Sequence, residues 1–219
     1  PQVIYFSGTQ VLENGYYFAD EKIFCSENGK AEEICSAGDL KILGLHNMEN
    51  IMAAVAMARC VDVPMDTIRK TITAFTGVEH RIEFVTEKRG VAYYNDSKGT
   101  NPDAAIKAIQ AMVRPTLLIG GGYDKDSTYD EWIEAFDGKV RYLVLLGATA
   151  DKIEACARRH GFENIIRTES LEEAVRVCGE KAQKGDAVLL SPACASWGMF
   201  DNYEQRGRLF KEYVGKLEN

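Results

Sequence analysis

From residue 82 to the end of the chain, strand-like and helix-like patterns alternate, and this alternation restricts the fold more than any other feature. Apolar, β-branched runs fall at 82–87, 91–95, 116–120, 140–146, 164–167 and 187–191. Helical periodicity falls at 102–112, 128–136, 150–160, 170–182 and 202–217. Asn101-Pro102 reads as an N-cap followed by proline in the first turn, Ser170-x-x-Glu173 as a capping box, and Gly161 as a helix stop. Parallel neighbours need a crossover, so the pattern predicts βαβ units and a mostly parallel sheet covered on both faces, an α/β fold.

The first 77 residues follow a different rhythm. Val3-Ile4-Tyr5-Phe6 is a predicted strand, and Tyr16-Tyr17-Phe18-Ala19 pairs with Lys22-Ile23-Phe24-Cys25 across Asp20-Glu21. Asn28-Gly29 is a two-residue hairpin signal, with Glu33-Ile34-Cys35 returning from it. A small antiparallel sheet is expected. The period then changes: Ile51, Ala54, Val55, Ala58 and Val61 recur at helical spacing, and a second helix follows Pro64 with Ile68, Ile72 and Phe75 on one face. Gly77 ends this region, and 78–83 reads as a linker.

Bulk properties exclude several classes. A formal net charge of −7 argues against a broad nucleic-acid or membrane footprint, and no run approaches the ~18 apolar residues of a membrane span. The six cysteines (Cys25, Cys35, Cys60, Cys156, Cys178, Cys194) include no C-x-x-C and are read as reduced thiols of a cytoplasmic protein. His46, His80 and His160 show no metal-ligand spacing with them, and no metal site is expected in this chain. There is no G-x-x-x-x-G-K-[ST], no G-x-S-x-G and no G-x-G-x-x-G, so neither a P-loop, a nucleophile elbow nor a dinucleotide fingerprint is present.

Two polar stretches stand at predicted strand ends: Asn95-Asp96-Ser97-Lys98-Gly99-Thr100-Asn101 and Ser191-Pro192-Ala193-Cys194-Ala195-Ser196. In open α/β sheets ligands bind beyond the carboxyl ends of the strands, so both can border one pocket. Helix capping needs one such residue; five leave room for an anion at the helix start as well. Gly120-Gly121-Gly122 after another strand permits close backbone approach, and Lys125 just beyond it reads as an anion receptor or as a solvated loop lysine.

The residues 191–207, reading SPACASWGMFDNYEQRG, resemble the Mur ligase family, and within it the members that add D-glutamate. Residues 95–101 resemble that group's N-D-S-K-[AG]-T-N segment, 46–50 its H-N-x-x-N helix start and 80–83 its H-R-x-E. The resemblance implies that 1–77 is the incomplete end of a central ATPase domain, 78–82 a hinge, and 83–219 a Rossmann-like C-terminal domain. It further implies a C-terminal fragment of a monomeric enzyme, inactive alone, with ATP and Mg2+ used by the parent and the metal ligands outside this chain. The implied substrates are UDP-N-acetylmuramoyl-L-alanine and D-glutamate, joined through an acyl phosphate. Nucleic acid and membrane are not expected partners. A related ligase adding another amino acid, or a non-catalytic ligand-binding domain, are the alternatives.

The same resemblance assigns roles residue by residue. Asn47, Asn50, Arg81 and Asp96 would bind ATP, with Arg81 at its phosphates. Lys98 would be catalytic, facing the reacting centre. Thr100 and Lys125 would receive one carboxylate of D-glutamate; Ser196, Trp197 and Tyr203 would border the other.

Overall fold

The computed structural model describes residues 3–218, which separate into two compact units, Pro1–Gly77 and Val78–Asn219. In the first, β1 (Phe6–Ser7), β2 (Gly15–Ala19), β3 (Lys22–Glu27) and β4 (Lys30–Ser36) form a sheet in that order. The β2–β3 and β3–β4 pairs are antiparallel hairpins, as the turn signals require. β1, however, runs parallel to β2, so the sheet is mixed rather than antiparallel. The segment 8–14 between them carries the chain back before it pairs, which makes this one pair parallel where an antiparallel sheet was expected. The first strand is also shorter and later than Val3–Phe6 suggested; Tyr5 contributes only a carbonyl to the Tyr16 amide.

Helices α1 (Leu45–Cys60) and α2 (Met65–Ala74) cover one face of this sheet. Met48, Ile51, Met52 and Val55 of α1 and Ile68 of α2 close on Ile23, Ile34 and Cys35, so one apolar stripe per helix is buried. Phe75 lies past the last turn of α2 and is exposed, which removes it from the expected face.

In the second unit the six-stranded sheet has the order β5 (Glu83–Lys88), β6 (Val91–Asn95), β10 (Ala187–Leu190), β7 (Thr116–Gly120), β8 (Val140–Leu145), β9 (Ile165–Arg167). β5 is an antiparallel edge strand; the other pairs are parallel. The crossovers are α3 (Pro102–Ala111), the short α4 (Asp130–Glu134), α5 (Ala150–Arg159) and α6 (Leu171–Lys181); α7 (Tyr203–Lys216) closes the chain. Every residue of β7 and β10 is buried, as strands covered on both faces must be. Leu117, Ile119, Val144, Val188 and Leu190 pack under Val175, Phe210 and Val214. Burying each such side chain contributes about 1.5–3 kcal/mol relative to exposure.

The caps largely match their sequence signals. Asn101 accepts the Ala104 amide at 2.9 Å with Pro102 in the first turn. Ser170 accepts the Glu173 amide at 3.1 Å, while Glu173 turns instead to the Glu169 amide, so only half of the capping box forms. The strand order decides where the polar loops meet. The chain leaves a gap between β6 and β7 and fills it last with β10, so the carboxyl ends of β6, β10 and β7 lie side by side.

Candidate active site

Three loops emerge from those strand ends, and hydrogen bonds fasten each to the next. After β6, Asp96 turns inward: its Oδ2 accepts the Ser191 hydroxyl at 2.7 Å and its Oδ1 the Ile82 amide at 3.2 Å. After β7, the Gly121 amide donates to the Pro192 carbonyl and the Tyr123 amide to the Ala195 carbonyl, at 2.8 and 2.9 Å. This approach depends on glycine. At Gly122, with φ +153°, a Cβ would stand 2.4 Å from the Ala195 carbonyl oxygen. After β10, Ala193 is held buried at φ +56°, a conformation that costs free energy for an L-residue and persists where its surroundings enforce it.

Arg206 locks the arrangement. It is 2% exposed, on α7, and its guanidinium donates to the Ser97 hydroxyl at 3.0 Å, the Ser97 carbonyl at 2.9 Å and the Cys194 carbonyl at 3.1 Å. No carboxylate accepts from it among the described residues, and burial draws its pKa down to about 10. The planar fork suits this task because one side chain reaches two loops at once. Ser97 in turn donates to the Tyr203 carbonyl at 2.7 Å. Cys194 is buried with its Sγ against the hydroxyls of Tyr129 and Thr149, at 3.1 and 3.3 Å, and burial pushes its thiol up. That environment suits packing, not a nucleophile.

On this scaffold the polar side chains fall into two groups. Asp96, Asn95 and Ser97 are spent internally. Lys98, Thr100, Lys125 and Ser196 are not: among the described residues none of their side-chain donors makes a hydrogen bond or ion pair. Both lysines rest on aromatic faces instead. Lys98 Nζ lies 3.9 Å from the Tyr203 ring centre, and Lys125 Nζ 5.0 Å from that of Trp197, which Tyr123 meets edge-on. A ring attracts the ammonium without neutralising it, so the charge stays available to an anion.

The linker is bolted to the same scaffold. His80 is buried, with its Nδ1 2.9 Å from Asn95 Nδ2; its carbonyl accepts the Lys98 amide, and burial lowers its pKa. With His80 and Ile82 both tied to the end of β6, Arg81 between them is exposed, its side chain free of hydrogen bonds among the described residues. Asn47 and Asn50 belong to the first unit. Asn47 donates to the Leu43 carbonyl at 2.7 Å and accepts from Asn50 at 3.4 Å.

Residues 80–194, more than half of the chain, match the family described as Mur ligase, glutamate ligase domain. The chain belongs to the Mur ligase family. A UDP-N-acetylmuramoylalanine–D-glutamate ligase of Lachnoclostridium phytofermentans is 58% identical over 217 residues, 99% of this chain and 48% of that protein. The chain thus spans about half the length of the curated relatives it matches. The UDP-N-acetylmuramate–alanine ligase of Thermotoga maritima shares the fold with a TM-score of 0.64 at 17% identity, over 89% of this chain and 43% of that one. E. coli FolC, solved with ADP, also reaches 0.64 at 17% identity, over 95% of this chain and 47% of its own.

For a Mur ligase domain read from sequence alone, two features went unseen. Arg206 lies within a recognised stretch, yet nothing in its local spacing marks it as buried. The signal available was a charged residue on the apolar stripe of α7, four before Phe210. The second is a correction. Cys156 and His160 do stand at ligand spacing, four apart, and Asp130 joins them with all three donor atoms within 4.8 Å of one another. Among the described residues all six cysteines are free thiols, and no helix is long and apolar enough to cross a membrane.

Proposed function

We propose that this chain is the C-terminal half of an ADP-forming ligase that adds D-glutamate to UDP-N-acetylmuramoyl-L-alanine. Support comes from the 58% identity to a D-glutamate ligase and from one observation above all. Around the ends of β6, β10 and β7 stand two ammoniums in no ion pair and two hydroxyls in no hydrogen bond among the described residues (Lys98, Lys125, Thr100, Ser196), a set suited to receive a small molecule with two carboxylates. D-Glutamate offers two carboxylates, with its amine on the carbon that bears one of them.

In this reading ATP phosphorylates the terminal carboxylate of the UDP-sugar peptide. The amine of D-glutamate attacks the acyl phosphate, an amide forms, and phosphate leaves. Lys125 and Thr100 bind one carboxylate. Ser196, the backbone at Trp197 and the edge of Tyr203 bind the other. Together they hold the amine on the reacting carbon, and such positioning can supply much of the rate. Lys98 stabilises the phosphoryl oxygens and then the tetrahedral oxyanion. Arg81 contacts the ATP phosphates, while Asn47 and Asn50 serve the nucleotide side. Asp96 belongs to that side too, but its two oxygens are already engaged by Ile82 and Ser191, so it acts by fixing the linker against β10. Mg2+ serves the whole enzyme in this reading, held by residues outside this chain. Reduced thiols and the need for ATP fit an enzyme of the cytoplasm.

Phosphate release by the full-length ligase tests the reading, with ATP, magnesium, UDP-N-acetylmuramoyl-L-alanine and either D- or L-glutamate. Release that requires D-glutamate supports it. Release with another amino acid overturns the specificity, and no release with any overturns the ligase. The present chain alone is expected to release none.

A further inference from the structure

We propose that Asp130, Cys156 and His160 form a site for one soft divalent cation of the zinc class. Cys156 lies within α5 and His160 at its end, four residues on, so the two side chains share one helix face. Asp130, the first residue of α4, faces them, with its Oδ1 2.9 Å from His160 Nε2. The three donor atoms lie within 4.8 Å of one another. Bonds of about 2.0–2.3 Å in a tetrahedral zinc site separate ligand atoms by roughly 3.3–3.8 Å, so closure asks for movements of about 1 Å or less.

Two further observations favour a cation over a simple hydrogen-bonded trio. Glu134 Oε1 stands 3.8 Å from the other ring nitrogen, Nδ1, beyond hydrogen-bond length but within reach of a small rotation. A carboxylate behind the second ring nitrogen is how metal-binding histidines are oriented. On the His160 side of the trio lies an open pocket of about 280 Å³, bordered also by Glu134, Asp137 and Phe162, which gives water access to the imidazole. Thiol, imidazole and carboxylate together select zinc over magnesium or calcium, which prefer oxygen alone. Arg159 also reaches Asp130, at 3.3 Å, but its side chain is 63% exposed and can swing into solvent. On binding, sulphur coordinates as thiolate and its proton passes to water.

The other metal-competent trio, Glu79, His80 and Glu83, is already occupied: Lys211 holds both carboxylates, at 2.6 and 2.9 Å. The Asp130 site shares no residue with the loops at the strand ends, yet it bears on one of them. Asp130 directly follows the loop that carries Lys125 and Tyr129, so a bound ion would fasten the far end of that loop to α5.

Zn2+ calorimetry and Co2+ absorption on the reduced, chelator-treated chain test the proposal. The expected result is one ion per chain at micromolar affinity or tighter, with a thiolate-to-cobalt charge-transfer band. Cys156→Ser should abolish that band and His160→Ala should weaken zinc by about tenfold or more. Cys60→Ser, at an exposed thiol, should change neither. Glu134→Gln, at an exposed position outside the ligand set, should weaken zinc by about tenfold without disturbing the core. No binding at millimolar metal overturns the site, as does binding that survives both Cys156→Ser and Glu134→Gln.

Discussion

Asp96→Asn should make the second unit more stable, and the gain should grow with pH. Asp96 is 6% exposed, and burial pushes its carboxyl up from 3.8 to about 7. Bonds from Ser191 and Ile82 and the charges of Arg81 and Arg206 offset only part of that rise. The sign comes from proton counts. Below about pH 4 the group is protonated in both folded and unfolded chains, and it carries no penalty. As pH rises toward about 7 the unfolded chain releases the proton and the folded chain keeps it, so stability is progressively lost. A gap of about three pH units is worth at most about 4 kcal/mol, and local relaxation trims this. Asparagine keeps the geometry, accepting from Ile82 through its oxygen and donating to Ser191 through its amide. The variant's advantage over the parent should therefore increase by about 2 kcal/mol between pH 5 and pH 8. Urea unfolding followed by tryptophan fluorescence reads this unit selectively, because both tryptophans, Trp132 and Trp197, lie in it. An advantage equal at the two pH values, or a variant less stable at both, refutes the reasoning.

Three further outcomes are expected. Lys125→Ala in the full-length ligase should raise the apparent KM for D-glutamate by about tenfold or more while leaving that for ATP nearly unchanged, a loss of roughly 1.4 kcal/mol or more in steady-state kinetics. Arg206→Lys keeps the charge but not the fork; with Ser97 or Cys194 left without its donor, urea unfolding should show a loss of about 1–3 kcal/mol and kcat/KM should fall. Gly122→Ala drives a Cβ into the Ala195 carbonyl at a backbone angle alanine avoids, and should cost about 2 kcal/mol or more in thermal unfolding while breaking the Tyr123–Ala195 bond.

Most of the second unit was legible because its strands are short apolar runs separated by capped helices. Buried parallel strands must look that way, and β7 and β10 differ from their expected limits by a residue at most. The first unit was less so. β1 pairs through two residues only, and whether such a segment runs parallel or antiparallel depends on the path of the loop behind it, which period-two patterning does not encode. The candidate site divides the same way. That Asp96, Lys98 and Ser191 lie at strand ends followed from their position after apolar runs. That the ends adjoin required the strand order, because β10 (Ala187–Leu190) enters the sheet between β6 (Val91–Asn95) and β7 (Thr116–Gly120), both far back in the chain.

The polar residues at those ends also had to be sorted into those that hold the loops and those whose donors stay open, and local sequence cannot do this. Asp96, Ser97, Lys98 and Thr100 are neighbours of equal polarity, yet the first two are buried and bonded while the donors of the other two are open. The division is imposed from α7. Arg206 takes the Ser97 carbonyl and hydroxyl, and Tyr203 both accepts from Ser97 and lends its ring to Lys98. A buried guanidinium held by carbonyls rather than a carboxylate stabilises the fold weakly for its desolvation cost, but it leaves its positive charge uncancelled beneath the loops. Replacing it by an Arg–Asp pair would be the better choice for stability and the poorer one for an anion site. That preference, together with the destabilising Asp96, is what the proposed anion site at these strand ends requires at the expense of the fold.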